Sequence, residues 1–395
     1  VNRYFDLDAA LACARENKIV SPRRPVSLKW IMRPVLLLGL AASVAIGTVG
    51  CSDDGDDAAG TSDKADTSGQ DVAVGGELQK GWKVVDKAFA DGAFLSVWCG
   101  AKSTWVVGGE KHRSVALRFD GKAWKRLDPP VKQQLWWVHG IDKPGGETVV
   151  VVGESGAIAM YDEATWTVHD SKLPGATLFG AWGTAKDDLW GVGGPWQRAP
   201  KTLKQAKRVL LHFDGKSWER VDVDKVVGTT VQSLFKVWGT AKDNVYVVGD
   251  GATVLHYDGA SWSKEDSGLV GVVLFTLNGR GADDVWAVGG FGQGQLIHRT
   301  GGKWASVDIG ENTPAALQGV WTGAKHPVWI SGWDGYTASW DGTAWTEYST
   351  GTDHALHAIA VDPSGRVWSV GGNITTLRDD HDGSIVVFGA DVPKP

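Results

Sequence analysis

Between Phe94 and Phe388, short apolar runs alternate with clusters of Gly, Asp, Asn, Ser and Lys, and no stretch keeps a 3.6-residue period for long. The fullest copy of the pattern is Leu234–Trp262. Within it, Leu234-Phe-Lys-Val-Trp238, Val245-Tyr-Val-Val-Gly249, Thr253-Val-Leu-His-Tyr257 and Ser261-Trp262 with its followers each read as a short strand. Aromatic and β-branched residues fill the runs, while Lys-Asp-Asn, Gly-Asp-Gly and Asp-Gly punctuate them, as tight hairpin turns require. We name these strands A to D.

Three anchors count the copies. The first is the Trp late in strand A, at Trp98, Trp182, Trp238 and Trp321, with His139, Asn278 and Ala360 in the other copies. The second is a Gly ending strand B, at Gly108, Gly153, Gly193, Gly249, Gly289, Gly332 and Gly371, preceded by an aromatic three residues earlier in every copy but the one with Val150. The third closes an Asp-Gly-x-x-Trp turn, at Trp124, Trp166, Trp218, Trp262, Trp304 and Trp345. A period near 40 to 45 residues with four strands per copy predicts an all-β protein, a β-propeller of seven four-stranded blades spanning residues 81–395. A single blade cannot bury both faces. Fifteen of the 22 tryptophans fall on the anchors, so they read as packing between blades; each buried ring is worth roughly 4–6 kcal/mol gross at about 25 cal/mol per Å².

Closure of the ring is read from both ends. The spacing from Gly371 to Leu377 matches that from Gly249 to Leu255, which places strand C of the last blade at Ile374–Asp379 and a Trp-less strand D at Ser384–Phe388. Gly81-Trp-Lys-Val-Val-Asp86 resembles the strand D at Ser217–Asp222 and is expected to join blade seven, as its outer strand or beside it.

The N-terminal region carries an address. Met32 to Cys51 has a charged start, an apolar run and small residues before a cysteine, which fits a secretory signal better than a membrane span. Residues 1–31 are too long for a secretory n-region. They read as untranslated, with Met32 as the true start, or as a cytoplasmic leader. Ser52–Lys80 is rich in Asp, Gly, Ser and Thr and predicts a flexible acidic tether; its carboxylates lack the alternate-ligand spacing of a calcium loop. A formal net charge of −6 argues against a general nucleic-acid binder. With Cys51 and Cys13 set aside, Cys99 is left alone and no internal disulfide is expected.

The short motifs do not assemble a reaction. Gly153-Glu-Ser-Gly-Ala157 lacks the last Gly of a nucleophile elbow, and Gly290-Phe-Gly-Gln-Gly294 lacks the spacing and helix of a dinucleotide loop. His212, His256 and His298 occupy one strand C position in successive blades, a blade width apart, and are expected to be solvated rather than to share a metal. Neither metal nor cofactor is expected. The acidic pairs of the A–B turns, such as Asp187-Asp188, are expected to satisfy turn amides.

Function is sought where loops meet on one face of the channel, formed by the B–C and D–A connections. The largest departure there is the insertion Pro195–Arg208 in blade three, with Trp196, Arg198, Lys201, Lys204, Lys207 and Arg208 and no acid. It would suit an anionic partner, a glycan or an acidic envelope protein. Phe291, Trp333 and Tyr336 are placed on the same face, whereas Trp136 and Trp137 are expected to be packed.

Two resemblances extend this reading. The segment Met32–Cys51 resembles a bacterial lipoprotein signal, which implies cleavage after Gly50, signal residues 32–50, acylation of Cys51 and an acylated tether over 51–80; Thr48 departs from the preferred Leu, and Ser52 beside the cysteine implies the outer membrane. The Val-Trp-Gly-Thr-Ala-Lys-Asp, Val-Val-Gly-Asp-Gly and Leu-His-Tyr-Asp-Gly-x-x-Trp strings resemble the secreted Trp-rich propeller-repeat lipoproteins of delta-proteobacteria over residues 94 to 388. The turn is also similar to the Asp-box of sialidase-like repeats, but Asp258 to Trp262 is one step short, and no arginine cluster with a Tyr-carboxylate pair can be placed. The expectation is a monomeric, non-catalytic binding or scaffold module, periplasmic or surface-exposed. The alternative is a glycan-acting enzyme with two carboxyl groups roughly 5–9.5 Å apart at the channel mouth.

Overall fold

The computed structural model describes residues 78–195, 207–228, 230–323, 326–374, 382–389 and 391–395. The signal, Cys51, most of the tether and most of the blade-three insertion lie outside them. The described chain forms seven antiparallel four-stranded sheets, six of them in simple A-B-C-D order. The strands A are innermost, each packed against the strands A of both neighbouring blades. The seven-bladed propeller expected from the period is therefore the fold.

The Gly anchor follows from strand A. In all seven blades strand A bulges after its first residue, as between Leu234 and Lys236 or Leu178 and Gly180. The opposing Gly at the end of strand B then lies against the chain entering strand A. A Cβ at Gly249 would sit 2.4 Å from the Ser233 carbonyl oxygen, and one at Gly371 1.9 Å from that of Ala355. Close approach, not a positive φ, excludes other residues here.

The tryptophans join blades in one repeated contact. At five of the seven interfaces the strand B ring of one blade meets the strand D ring of the next nearly edge-on, four of them as Trp105 with Trp166, Trp190 with Trp262, Trp286 with Trp345 and Trp368 with Trp124. Centroids are 5.3 to 6.3 Å apart, an arrangement that adds about 0.5–1.5 kcal/mol per pair beyond area burial. Trp329 of blade six finds its partner in Trp82, at 5.9 Å and 88°.

That contact shows how the ring closes. Blade seven takes its strand A from Leu356–Val361, B from Val367–Gly372 and C from Gly383–Phe388, and the N-terminal strand Trp82–Phe89 is its outer strand D. The assignment of Ser384–Phe388 to strand D is corrected to strand C, because Val367–Gly372 pairs directly with Gly383–Phe388. The expected strand C at Ile374–Asp379 falls mainly outside the described residues. Both ends also reach neighbouring blades: the Gln79 N–H donates to the Glu347 carbonyl at 2.9 Å, and the Trp124 indole N–H donates to the Pro393 carbonyl at 2.8 Å.

Candidate functional site

Strand A carries the residues that face the axis. Its bulge throws position two out of the ladder, and in blades two to five that position is Trp136, Phe179, Phe235 and Phe275. Each ring meets the next, with centroids 5.0 Å apart for Trp136–Phe179, 5.0 Å for Phe179–Phe235 and 5.6 Å for Phe235–Phe275. Two B–C loops extend the series. Phe291 lies edge-on to Phe275 at 5.1 Å, and Trp333 lies 6.0 Å from Phe291. Six rings from blades two to six thus form an arc at the mouth on the B–C and D–A face. All but Phe179 are half-buried.

The rest of the mouth is different. Blades six, seven and one place Gln318, His357 and Leu95 at position two. The Gln318 amide oxygen is buried without a hydrogen-bond partner. His357 Nε2 lies 3.3 Å from the Gly372 carbonyl oxygen, and desolvation holds the ring's pKa at about 4.

Just below the rings, position three of blade four is Lys236. Its Nζ donates to the Phe179 carbonyl at 2.9 Å and lies 3.4 Å from the Trp137 ring centroid. Gly180 leaves room for the stem, since a Cβ there would come within 3.2 Å of Lys236 Cδ. Only 8% of Lys236 is exposed, and no carboxylate pairs with it among the described residues. Burial pushes its ammonium well below the ordinary lysine value.

The sequence-predicted residues fall into three groups. Phe291 and Trp333 are on this face, within the arc. Tyr336 is 4% exposed, inside the core of blades five and six, with its hydroxyl donating to Glu347 Oε1 at 2.7 Å; this removes it from the mouth. Arg208 is likewise turned inward, 5% exposed, donating to Asp224 Oδ1 at 2.9 Å and to the Val231 carbonyl at 2.6 Å. Lys207 is exposed, and Trp196, Arg198, Lys201 and Lys204 lie outside the described residues. Trp136 is at the rim and Trp137 below it, under the lysine.

The strand C histidines are tied down rather than solvated. His256 and His298 stack on Tyr246 and Trp286 at 4.2 and 3.8 Å, and His212 lies tilted against Trp190 at 4.4 Å. Each meets the second residue of its A–B turn pair: Asp188 at 2.6 Å, Asn244 at 2.7 Å and Asp284 at 2.8 Å. The second residues of those pairs hold histidines, while Asp283, the first of its pair, accepts from the Gly301 and Gly302 turn amides as expected; other turn amides are capped locally, as by Asp258 on Ala260 and Ser261. No group of three or more potential metal ligands gathers among the described residues.

Sequence reasoning passed over Phe179, Phe235, Phe275, Lys236, Gln318 and His357. The available signal was an aromatic after the first Leu of strand A in four successive copies, beside one lysine where other copies carry Ser96, Gly180, Thr276, Gly319 and Ala358.

No protein-family model matches the chain, and no curated protein matches it. Solved structures do. It is similar to YCF48 from Cyanidioschyzon merolae, at 15% identity and TM-score 0.56 over 78% of this chain and 99% of that one. YCF48 bound to D1 peptide is similar at 12% identity and TM-score 0.53, over 79% and 98%. The WD40 β-propeller domain of Doa1 is similar at 9% identity and TM-score 0.56, over 79% and 97%. At these identities the likeness shows the propeller fold alone.

Proposed function

We propose that this chain is a binding propeller that takes a segment of a protein partner across the aromatic mouth of its channel, and that a lipid on Cys51 holds it in the outer membrane. The single observation that carries the binding reading is the arc of six rings. A monomeric propeller could pack its core with aliphatic residues at position two, and large half-buried rings there are instead what interfaces use as anchors. A similar propeller is recorded with a peptide bound, which supports a peptide as the kind of ligand. Acid–base work is poorly served here, because none of the seven position-two residues is a carboxylate.

The test is selection of random peptides displayed on phage against the purified propeller, repeated on Phe235→Ala/Trp333→Ala and on Lys186→Ala at an A–B turn. Enrichment by the parent and the Lys186 variant, with loss on the double variant, is expected. Equal enrichment on the double variant, at unchanged thermal midpoint, would remove the mouth from the function. The anchor is tested separately by palmitate labelling: Cys51→Ala should lose label and leave the membrane fraction, and unaltered partition would overturn it.

A further inference from the structure

Lys236 is hard to explain as packing. It occupies the innermost strand with one carbonyl and one ring face as partners, so an N–H is left over inside the ring and the charged form has no counter-ion there. Removing an ion from water without a counter-ion costs several kcal/mol, and a methionine would fill the same space at no such cost. The cation–π contact returns only part of that cost. Every other blade builds position three without an ammonium or a carboxylate: Ser96, Trp137, Gly180, Thr276, Gly319 and Ala358.

The surroundings say what would balance the charge. Above Lys236 stands the half-buried ring of Phe235 within the aromatic arc. On the polar side of the mouth, His357 stands at position two of blade seven, and Gln318 at position two of blade six holds its unpartnered amide oxygen, an acceptor for an N–H. An apolar wall with one buried cation at its foot matches a ligand that is apolar along its length and anionic at its tip.

We infer that Lys236 and the rings above it form a receptor for a carboxylate carried on an apolar stem. This deepens the binding reading and rests on it: the arc holds the stem, and Lys236 selects its end. The carboxylate is supplied by a small aryl-alkanoic acid or by a peptide that ends in an apolar residue.

Saturation-transfer NMR and calorimetry on the full chain test this with two matched pairs: 3-phenylpropionate against 3-phenylpropionamide, and N-acetylphenylalanine against its amide. In the wild type at least one acid should bind tenfold or more tightly than its amide. If the first pair alone shows this, the ligand is a small acid; if the second alone, it is a peptide end. Equal binding of acid and amide in both pairs, or no binding of either acid, overturns the inference without any variant having to fold. Lys236→Met should melt at or above the wild-type temperature and bind acid and amide equally; a preference that survives in this variant also overturns it. The peptide selection above is independent. If Phe235→Ala/Trp333→Ala loses its peptides while Lys236→Met keeps them, the binding face stands and the carboxylate receptor falls.

Discussion

Replacing Trp82 with alanine tests how the ring is closed. Trp82 is half-buried, edge-on to Trp329 at 5.9 Å and tilted against Phe388 at 5.8 Å. A tryptophan buries about 150–250 Å² when fully enclosed, and two-thirds of that at about 25 cal/mol per Å² is roughly 2.5–4 kcal/mol, to which the ring pairs add about 0.5–1.5 kcal/mol. The expected loss is therefore about 3–5 kcal/mol, within the range of large-to-small core changes. Trp262→Ala is the control, because Trp262 makes the same contact with Trp190 inside contiguous blades. Guanidinium unfolding followed by far-UV circular dichroism is the assay, since the many other tryptophans would blur fluorescence. If the N-terminal strand is the closing strand, the two variants lose comparable stability. A Trp82 variant within about 0.5 kcal/mol of the parent, beside a damaged Trp262 variant, would refute that role.

Two further outcomes follow from local geometry. A Cβ at Gly140 would sit 2.5 Å from the Trp98 ring of the preceding blade, so Gly140→Ala should cost about 1–3 kcal/mol, and nearly nothing in a Trp98→Ala background; simple additivity in that double-mutant cycle would show that the two do not meet. Asp250, in the B–C turn of blade four, has its pKa raised from 3.8 to about 6 by burial, against donation from the Ser233 N–H at 2.7 Å. The folded state binds this proton more readily than the unfolded one, so the contribution is full below the unfolded value and is lost as pH rises through about 6, on the order of 2–3 kcal/mol. Asp250→Asn should accordingly raise the unfolding midpoint at about pH 7.5 and leave it unchanged near pH 4; a gain of equal size at both would sink the linkage.

The blades were legible because their joints recur. A ring on strand B, a ring on strand D and a glycine under a carbonyl recur at most blade interfaces, so the sequence repeats them and the period can be counted. Closure was half legible: Trp82 sits in a copy of the strand D motif, but nothing in Gly383–Phe388 marks it as strand C rather than D, and matching Gly371 to Gly249 ignored the longer connection that follows Gly372. Arg208 and Tyr336 misled for a physical reason. A charge in an insertion is expected to be exposed, yet Arg208 immediately precedes strand C at Val209–Phe213 and folds back onto Asp224 and Val231. Tyr336 opens a strand, one that points into a core. Lys236 stood in the best-preserved copy and was passed over, because alternation along a strand does not survive a bulge: it cannot say which side chains face the axis.

Departures from the repeat therefore need sorting by whether the joint between blades is kept. At position five of strand A the ring lies over the position-six glycine of the next blade: Trp98 over Gly140, Trp182 over Gly239, Trp238 over Gly279. Where the ring is lost in blades two and five, a hydrogen bond takes over. His139 Nε2 lies 2.8 Å from the Gly183 carbonyl oxygen and 3.2 Å from the Gly183 amide nitrogen, the imidazole held neutral by burial with a pKa of about 4. Asn278 Oδ1 accepts from the Thr322 N–H at 3.1 Å, and with no ring above it that position tolerates a threonine. Both substitutions preserve the interface by other means, so they ask for no ligand. Lys236 and Gln318 are of the other kind: the lysine is buried without a counter-ion, and the glutamine holds an oxygen its neighbours do not satisfy. A buried lysine without a counter-ion, at the foot of the arc of rings, is the reason to look at that mouth for what the protein binds.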